Sequence, residues 1–119
     1  MVTIDLLDDI LHLHVQGADK VWALKSELSI PLRHVVTARA DSEIVHRWRG
    51  MLKAPGTAIP GVIRAGTFYY DNKRVFWDIH HPDKALVIKL HDETYNELVV
   101  EVFDPDTAAQ FIVDAVTKV

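Results

Sequence analysis

Cysteine is absent from this chain of 119 residues. Its absence excludes a disulfide framework, a thiolate metal site and cysteine-based nucleophilic catalysis. Glycine and proline number five each, so a low-complexity or collagen-like chain is excluded, and no internal repeat occurs. No apolar run approaches the roughly 18 residues of a membrane-crossing helix. The opening stretch carries Asp5, Asp8 and Asp9 and lacks a basic leader. That is not the pattern of a secretory signal, and the expected location is the cytoplasm. Ser26, Ser29 and Ser42 lack a nucleophile-elbow context, and no H-E-x-x-H motif occurs. The paired carboxylates Asp92-Glu93 and Asp104/Asp106 sit at a turn and a helix start, where they have structural roles. The expectation is a protein that is not an enzyme and has no cofactor.

What is present is ordinary globular material, with 49% hydrophobic and 25% charged residues. The length suits one domain, residues 1–119, with one real core. The net charge of −4 is unevenly spread. Residues 1–32 carry −3, residues 33–64 carry +4 and residues 65–119 carry −5. Arg33, Arg39, Arg47, Arg49, Lys53 and Arg64 thus form a basic island in an acidic chain. Such an island marks an anionic partner, or complements the protein's own acidic segments or another subunit.

Hydrophobic alternation predicts strands. Val2, Ile4 and Leu6 alternate with polar residues, as do Leu11, Leu13 and Val15. A two-residue turn at Asp8-Asp9 sets Leu6 opposite Leu11, Ile4 opposite Leu13 and Val2 opposite Val15, all on one buried face. Ala18 to Leu28 has the spacing of a short helix, Arg33 to Ala40 reads as a third strand, and Glu43 to Trp48 as a helical turn capped by Asp41 or Ser42. Ala54 to Gly61 is the chief loop. Val62 to Asp71 and Val75 to His80 form a hairpin around Asn72-Lys73, with Tyr70 by Val75, Tyr69 by Phe76 and Phe68 by Trp77. Both of its faces are apolar, so both require cover. Lys84 to Leu90 and Glu97 to Phe103 complete the strands. Asp104 caps a final helix, Pro105 to Lys118, whose apolar stripe is Ala108, Phe111, Ile112, Ala115, Val116 and Val119.

Seven strands, three then four, followed by one C-terminal helix is the order of a pleckstrin-homology-like (PH-like) domain. The stretch Pro55-Gly56-Thr57-Ala58-Ile59-Pro60-Gly61, with Gly66-Thr67-Phe68, Phe76-Trp77-Asp78, Leu98-Val99-Val100-Glu101-Val102 and Asp104-Pro105, resembles an uncharacterised bacterial PH-like family. The similarity covers nearly the whole chain and is densest from Gly56 to Pro105. It implies a mainly β fold: a barrel or sandwich of two roughly orthogonal antiparallel sheets of about seven strands, capped by the C-terminal helix. It also implies binding and oligomer-forming roles, with no established reaction. Phosphoinositide-binding members of the wider superfamily carry lysines and arginines around the loop joining the first two strands. Here that loop is Asp8-Asp9, the wrong sign for a phosphorylated head group at the usual site.

His12 and His14 share one strand face, where two imidazoles can ligate zinc or copper if a third ligand, such as Asp5, joins them. The competing reading, histidines on a solvated sheet face, carries more weight, and His80-His81 with Asp83 is a weaker pair still. No metal site is expected. Gly56 and Gly61 have P-loop spacing, but Val62-Ile63 stand where Lys and Ser/Thr belong, so they are turn formers. Arg47, Trp48, Arg49 and Lys53 offer one aromatic and an acidic overall pI near 5.9, which argues against nucleic acid. Two classes of function remain. The favoured one is a non-catalytic binding or assembly module, homo-oligomeric through exposed sheet surface at Phe68, Tyr69, Tyr70, Phe76 and Trp77. The alternative is a domain binding a small anionic ligand or acidic peptide through Arg47, Arg49, Lys53 and Arg64.

Overall fold

Strands Val2–Leu7 (β1) and Ile10–Val15 (β2) pair antiparallel in the expected register, with Leu6 opposite Leu11, Ile4 opposite Leu13 and Val2 opposite Val15. Asp8 and Asp9 join them with φ of 53° and 62°. Two consecutive positive values are what a type I′ turn needs, and short acidic side chains tolerate them better than most. The computed structural model describes residues 1–15, 27–44, 64–70 and 72–119, and within 64–70 the side chains of Thr67 and Tyr69.

The segment expected to be helical from Ala18 lies outside the described residues up to position 26. Its end is a strand: Glu27–Pro31 (β3) pairs antiparallel with β2. Leu28 and Ile30 are buried while Glu27 and Ser29 are exposed, and this period of two outweighs the helical spacing read upstream. The third strand expected at Arg33 begins later. Leu32–His34 is a 3₁₀ turn, closed by the Val35 N–H donating to the Leu32 carbonyl, and β4 is Val35–Ala40. Beyond it, the Asp41 carboxylate accepts the Glu43 N–H at 3.1 Å, the local bond that gave Asp41 its capping signature. The rest of the expected turn to Trp48, and the loop from Ala54, lie outside the described residues.

A five-stranded sheet holds β4, Arg64–Tyr70 (β5), Lys73–Ile79 (β6), Ala85–Leu90 (β7) and Glu97–Glu101 (β8) in the order β4-β7-β8-β6-β5. Eight strands are therefore described, three in one sheet and five in the other, and the sheets close no barrel. The second sheet is not wholly antiparallel. β8 returns from its hairpin with β7 and inserts beside β6, to which it runs parallel. The β5–β6 hairpin also differs in register. Phe68 pairs with Val75, Tyr69 with Arg74 and Tyr70 with Lys73, two residues from the expected partners. The link is 71–72, and Asn72 adopts a φ of 62°. An asparagine takes that conformation readily, whereas a turn at Asn72-Lys73 would have asked it of a lysine.

The two faces of the large sheet have separate cores. Phe76, Leu86, Ile88, Leu98 and Val100 join Leu11, Leu13 and Ile30 of the small sheet in the main core. Trp77, Val75, Ile79, Val87 and Val99 form a second cluster with Ile44. Strands buried on both faces read as continuous apolar runs, which is why Val75 to Ile79 shows no alternation.

Helix Pro105–Thr117 (α1) packs chiefly against β4. Asp104 caps it: Oδ1 accepts the Thr107 N–H at 3.2 Å and Oδ2 the Thr107 hydroxyl at 2.9 Å. Ala109 and Ile112 are its buried residues, and full burial of an isoleucine contributes about 1.5–3 kcal/mol. The buried stripe is narrower than expected, because Phe111 and Val119 are exposed. The bonds from Thr107 hold the Asp104 carboxyl below its ordinary 3.8. A lowered folded value means the cap stabilises above that pH and is lost as pH falls through the folded value. Asp104→Ala should accordingly lower the melting temperature at neutral pH and flatten its dependence on pH below 3.8; equal melting curves for both proteins at pH 7 would show that the cap contributes nothing. Among the described residues no helix is long and apolar enough to cross a membrane.

Candidate functional site

The backbone of β1 is the first element of the site. β1 ends the order β1-β2-β3, so one side of it is open among the described strands. Which groups face that side follows from pairing parity. The Leu32 N–H donates to the Asp9 carbonyl at 2.9 Å, so residues 9, 11 and 13 direct their backbone groups toward β3, and 10, 12 and 14 toward β1. On β1, Thr3, Asp5 and Leu7 therefore answer β2, and the N–H and C=O groups of Val2, Ile4 and Leu6 point away from it; Val2 is covered there, at 2% exposed.

Beside this edge lies an apolar groove of about 420 Å³. Val2, Thr3 and Ile4 form one wall; Val102, Phe103, Asp104, Thr107, Ala108 and Phe111 form the floor and the other wall. Phe103 is 79% exposed and Phe111 45%. Phe103 precedes the helix cap, where an apolar residue commonly packs on the fourth helical position. That position is Ala108, too small to cover a phenyl ring. Lys84 Nζ lies 5.4 Å from the Phe103 ring centroid, a cation–π approach at the rim. Sequence reasoning missed this groove by assigning Phe111 to the buried stripe and Phe103 to a strand. The signal was legible in the pairing of a staple-position phenylalanine with an alanine.

Two residues of the expected aromatic interface are internal. Phe76 and Trp77 are 0% exposed, on opposite faces of β6, so neither presents surface. Phe76 meets the Tyr95 ring edge-on at 5.5 Å, and the Tyr95 and Thr67 hydroxyls share a 3.0 Å hydrogen bond. Tyr69 is the exposed member, at 65%. Its hydroxyl accepts from Arg74 Nη2 at 2.8 Å and Nε at 3.1 Å. For Phe68 and Tyr70 the backbone is placed in β5. Of the basic residues expected to bind an anion, Arg47, Arg49 and Lys53 lie outside the described residues, and Arg64 is placed only as the first residue of β5.

His12, His14, His34, His81 and His91 lie against neighbouring acids. His14 lies 3.5 Å from Asp5 and 3.9 Å from Glu27, and His12 Nδ1 is 3.0 Å from the Ser29 hydroxyl and 3.5 Å from Glu27. His34 Nδ1 donates to Glu93. Among the described residues no three of these side chains are arranged to hold a metal ion. Glu101 is the most constrained carboxylate: Oε1 accepts the His80 and His81 N–H groups at 2.8 and 2.6 Å, and Oε2 lies 3.0 Å from His81 Nδ1. Burial pushes this carboxyl up. The bonds from His81 and His80, with the charge attraction of His81, outweigh that and hold it below 4.5.

Comparison with family models, with curated proteins and with solved structures finds no match. The site is therefore read from its own chemistry.

Proposed function

We propose that this protein is a non-catalytic assembly module that self-associates through exposed surface at the edge of a sheet, and that the surface is the groove beside β1. The carrying observation is the exposure of Phe103 and Phe111 in an apolar groove beside β1, the terminal strand of its sheet among the described residues. An apolar groove with two exposed phenyl rings supplies the area that association needs. The reading moves the interface away from Phe76 and Trp77, which hold the two cores. A PH-like kinship is part of the proposal. It is supported by the sequence likeness from Gly56 to Pro105 and by a C-terminal helix that follows the strands and packs on the five-stranded sheet. The parallel β6–β8 pair departs from a wholly antiparallel arrangement.

Light scattering on the eluting protein tests the function. The wild type should have a multiple of 13.5 kDa, and Phe103→Glu/Phe111→Glu should return the single-chain mass while the chain stays folded, with a cooperative melt that no longer depends on protein concentration. Both rings are exposed, so the double substitution spares the core. An unchanged assembly mass in this variant would remove the groove from the interface.

A further inference from the structure

Where β8 begins, Lys73 of β6 and Lys89 of β7 stand on either side of Glu97. Parity puts all three on one face of the large sheet, that of Val75, Val87 and Val99. The Glu97 side chain is only 9% exposed. A polar group so covered ordinarily has hydrogen-bond partners. Among the described residues none donates a hydrogen bond to this carboxylate, and Lys73 Nζ stands 4.0 Å away. Beside it lies a pocket of about 200 Å³ lined by Val36, Lys73, Lys89, Leu90, Asn96 and Glu97. Two of these residues are set in place by the backbone. Asn96 Oδ1 accepts the Arg74 N–H at 2.8 Å, so the two donors of its amide remain for other partners. Val35 pairs with Leu90 and Thr37 with Lys89, which leaves Val36 as an extra residue in β4. A bulge of this kind re-aims a side chain, and Val36 is 53% exposed at the pocket.

The charges select the ligand. A simple anion would meet the Glu97 carboxylate, and a simple cation would meet two ammonium groups. A molecule carrying both charges suits both: its ammonium donates to Glu97, and its carboxylate accepts from the lysines and the Asn96 amide. The volume is too small for a nucleotide or a drug-sized molecule. We infer that this pocket binds a free α-amino acid, with a short apolar side chain against Val36 and Leu90. None of these residues lines the groove beside β1, so binding here does not require self-association.

Titration of L-valine, L-alanine and glycine into the isotope-labelled chain tests the site by NMR. Each should shift the amide signals of Val36, Lys89 and Glu97 saturably, valine most tightly. Acetate and methylamine, which carry one charge each, should not. Glu97→Gln keeps the shape but not the charge, and should raise Kd about tenfold or more. Lys89→Gln alters an exposed side chain and should also weaken binding, which keeps the test decisive if Glu97→Gln does not fold. Val36→Ser should remove the preference for valine over glycine, and a preference that survives it would overturn the seat of the side chain. No saturable shift with any of the amino acids, equal binding by acetate or methylamine alone, or wild-type affinity in either folded charge variant would overturn the assignment.

Discussion

Phe76→Ala and Trp77→Ala are each expected to lose about 3–5 kcal/mol of folding stability, measured as a fall in the denaturant midpoint. Both side chains are fully buried, and truncation adds a cavity to the lost transfer free energy. Phe76 holds the main core, where it meets Tyr95 edge-on, and Trp77 holds the cluster with Ile44 and Val99. The two residues are adjacent in sequence but serve different cores, so their effects should be close to additive. Against a typical total of about 5–15 kcal/mol, either loss is a large share. Tyr69→Ala is the contrast: an exposed ring held by Arg74 should cost less than about 1 kcal/mol. If Phe76→Ala and Tyr69→Ala were equally mild, the assignment of β6 to two buried faces would be wrong. For the same reason, a charged residue at Phe76 would report on folding and not on assembly.

The second large effect is expected at Glu101. Its two oxygens gather three bonds from His80 and His81, at the point where the chain leaves β6 to reach β7 past the end of β8. Hydrogen bonds to a charged group are worth about 1.5–3 kcal/mol, and Glu101→Gln should destabilise by an amount of that order at pH 7. The pH dependence follows from the lowered carboxyl value. The contribution is complete above the ordinary 4.5 and is lost as pH falls through the lower folded value. Wild-type stability should therefore drop below pH 4.5, and Glu101→Gln should show a shallower drop over the same range. Denaturant midpoints at several pH values measure both. Parallel curves for the two proteins would mean that Glu101 protonation is not linked to folding.

The first hairpin was readable in full because one face of it is polar. A one-residue slip would turn Val2, Ile4 and Leu6 to solvent, so alternation and the Asp8-Asp9 turn select the same register. The second hairpin lacks that penalty. A slide of two residues leaves every side chain on its own face, so burial does not decide it and the decision passes to the turn, where Asn72 accepts a positive φ. β3 escaped notice because Leu28 and Ile30 also suit the end of a helix, and only the open side of β2 made them a strand. The helix start was plain from Asp104 and Pro105, while the exposure of Phe111 depended on what lay across from it. The candidate site shows the same division. Phe103 and Phe111 are visible as apolar residues, but their groove exists only because β1 ends a sheet beside the helix.

By itself the sequence determined the elements whose signals are local: a type I′ hairpin at Asp8-Asp9, a capped helix at Asp104, a mainly β chain with no disulfide. Those follow from backbone conformation and short-range hydrogen bonds, which need no distant partner. The tertiary structure alone decided the parallel insertion of β8 between β7 and β6, the burial of Phe76 and Trp77 in opposite cores, and the groove beside β1. Strand order is set by which apolar faces meet. That meeting is a property of the whole surface, and no short window of residues contains it.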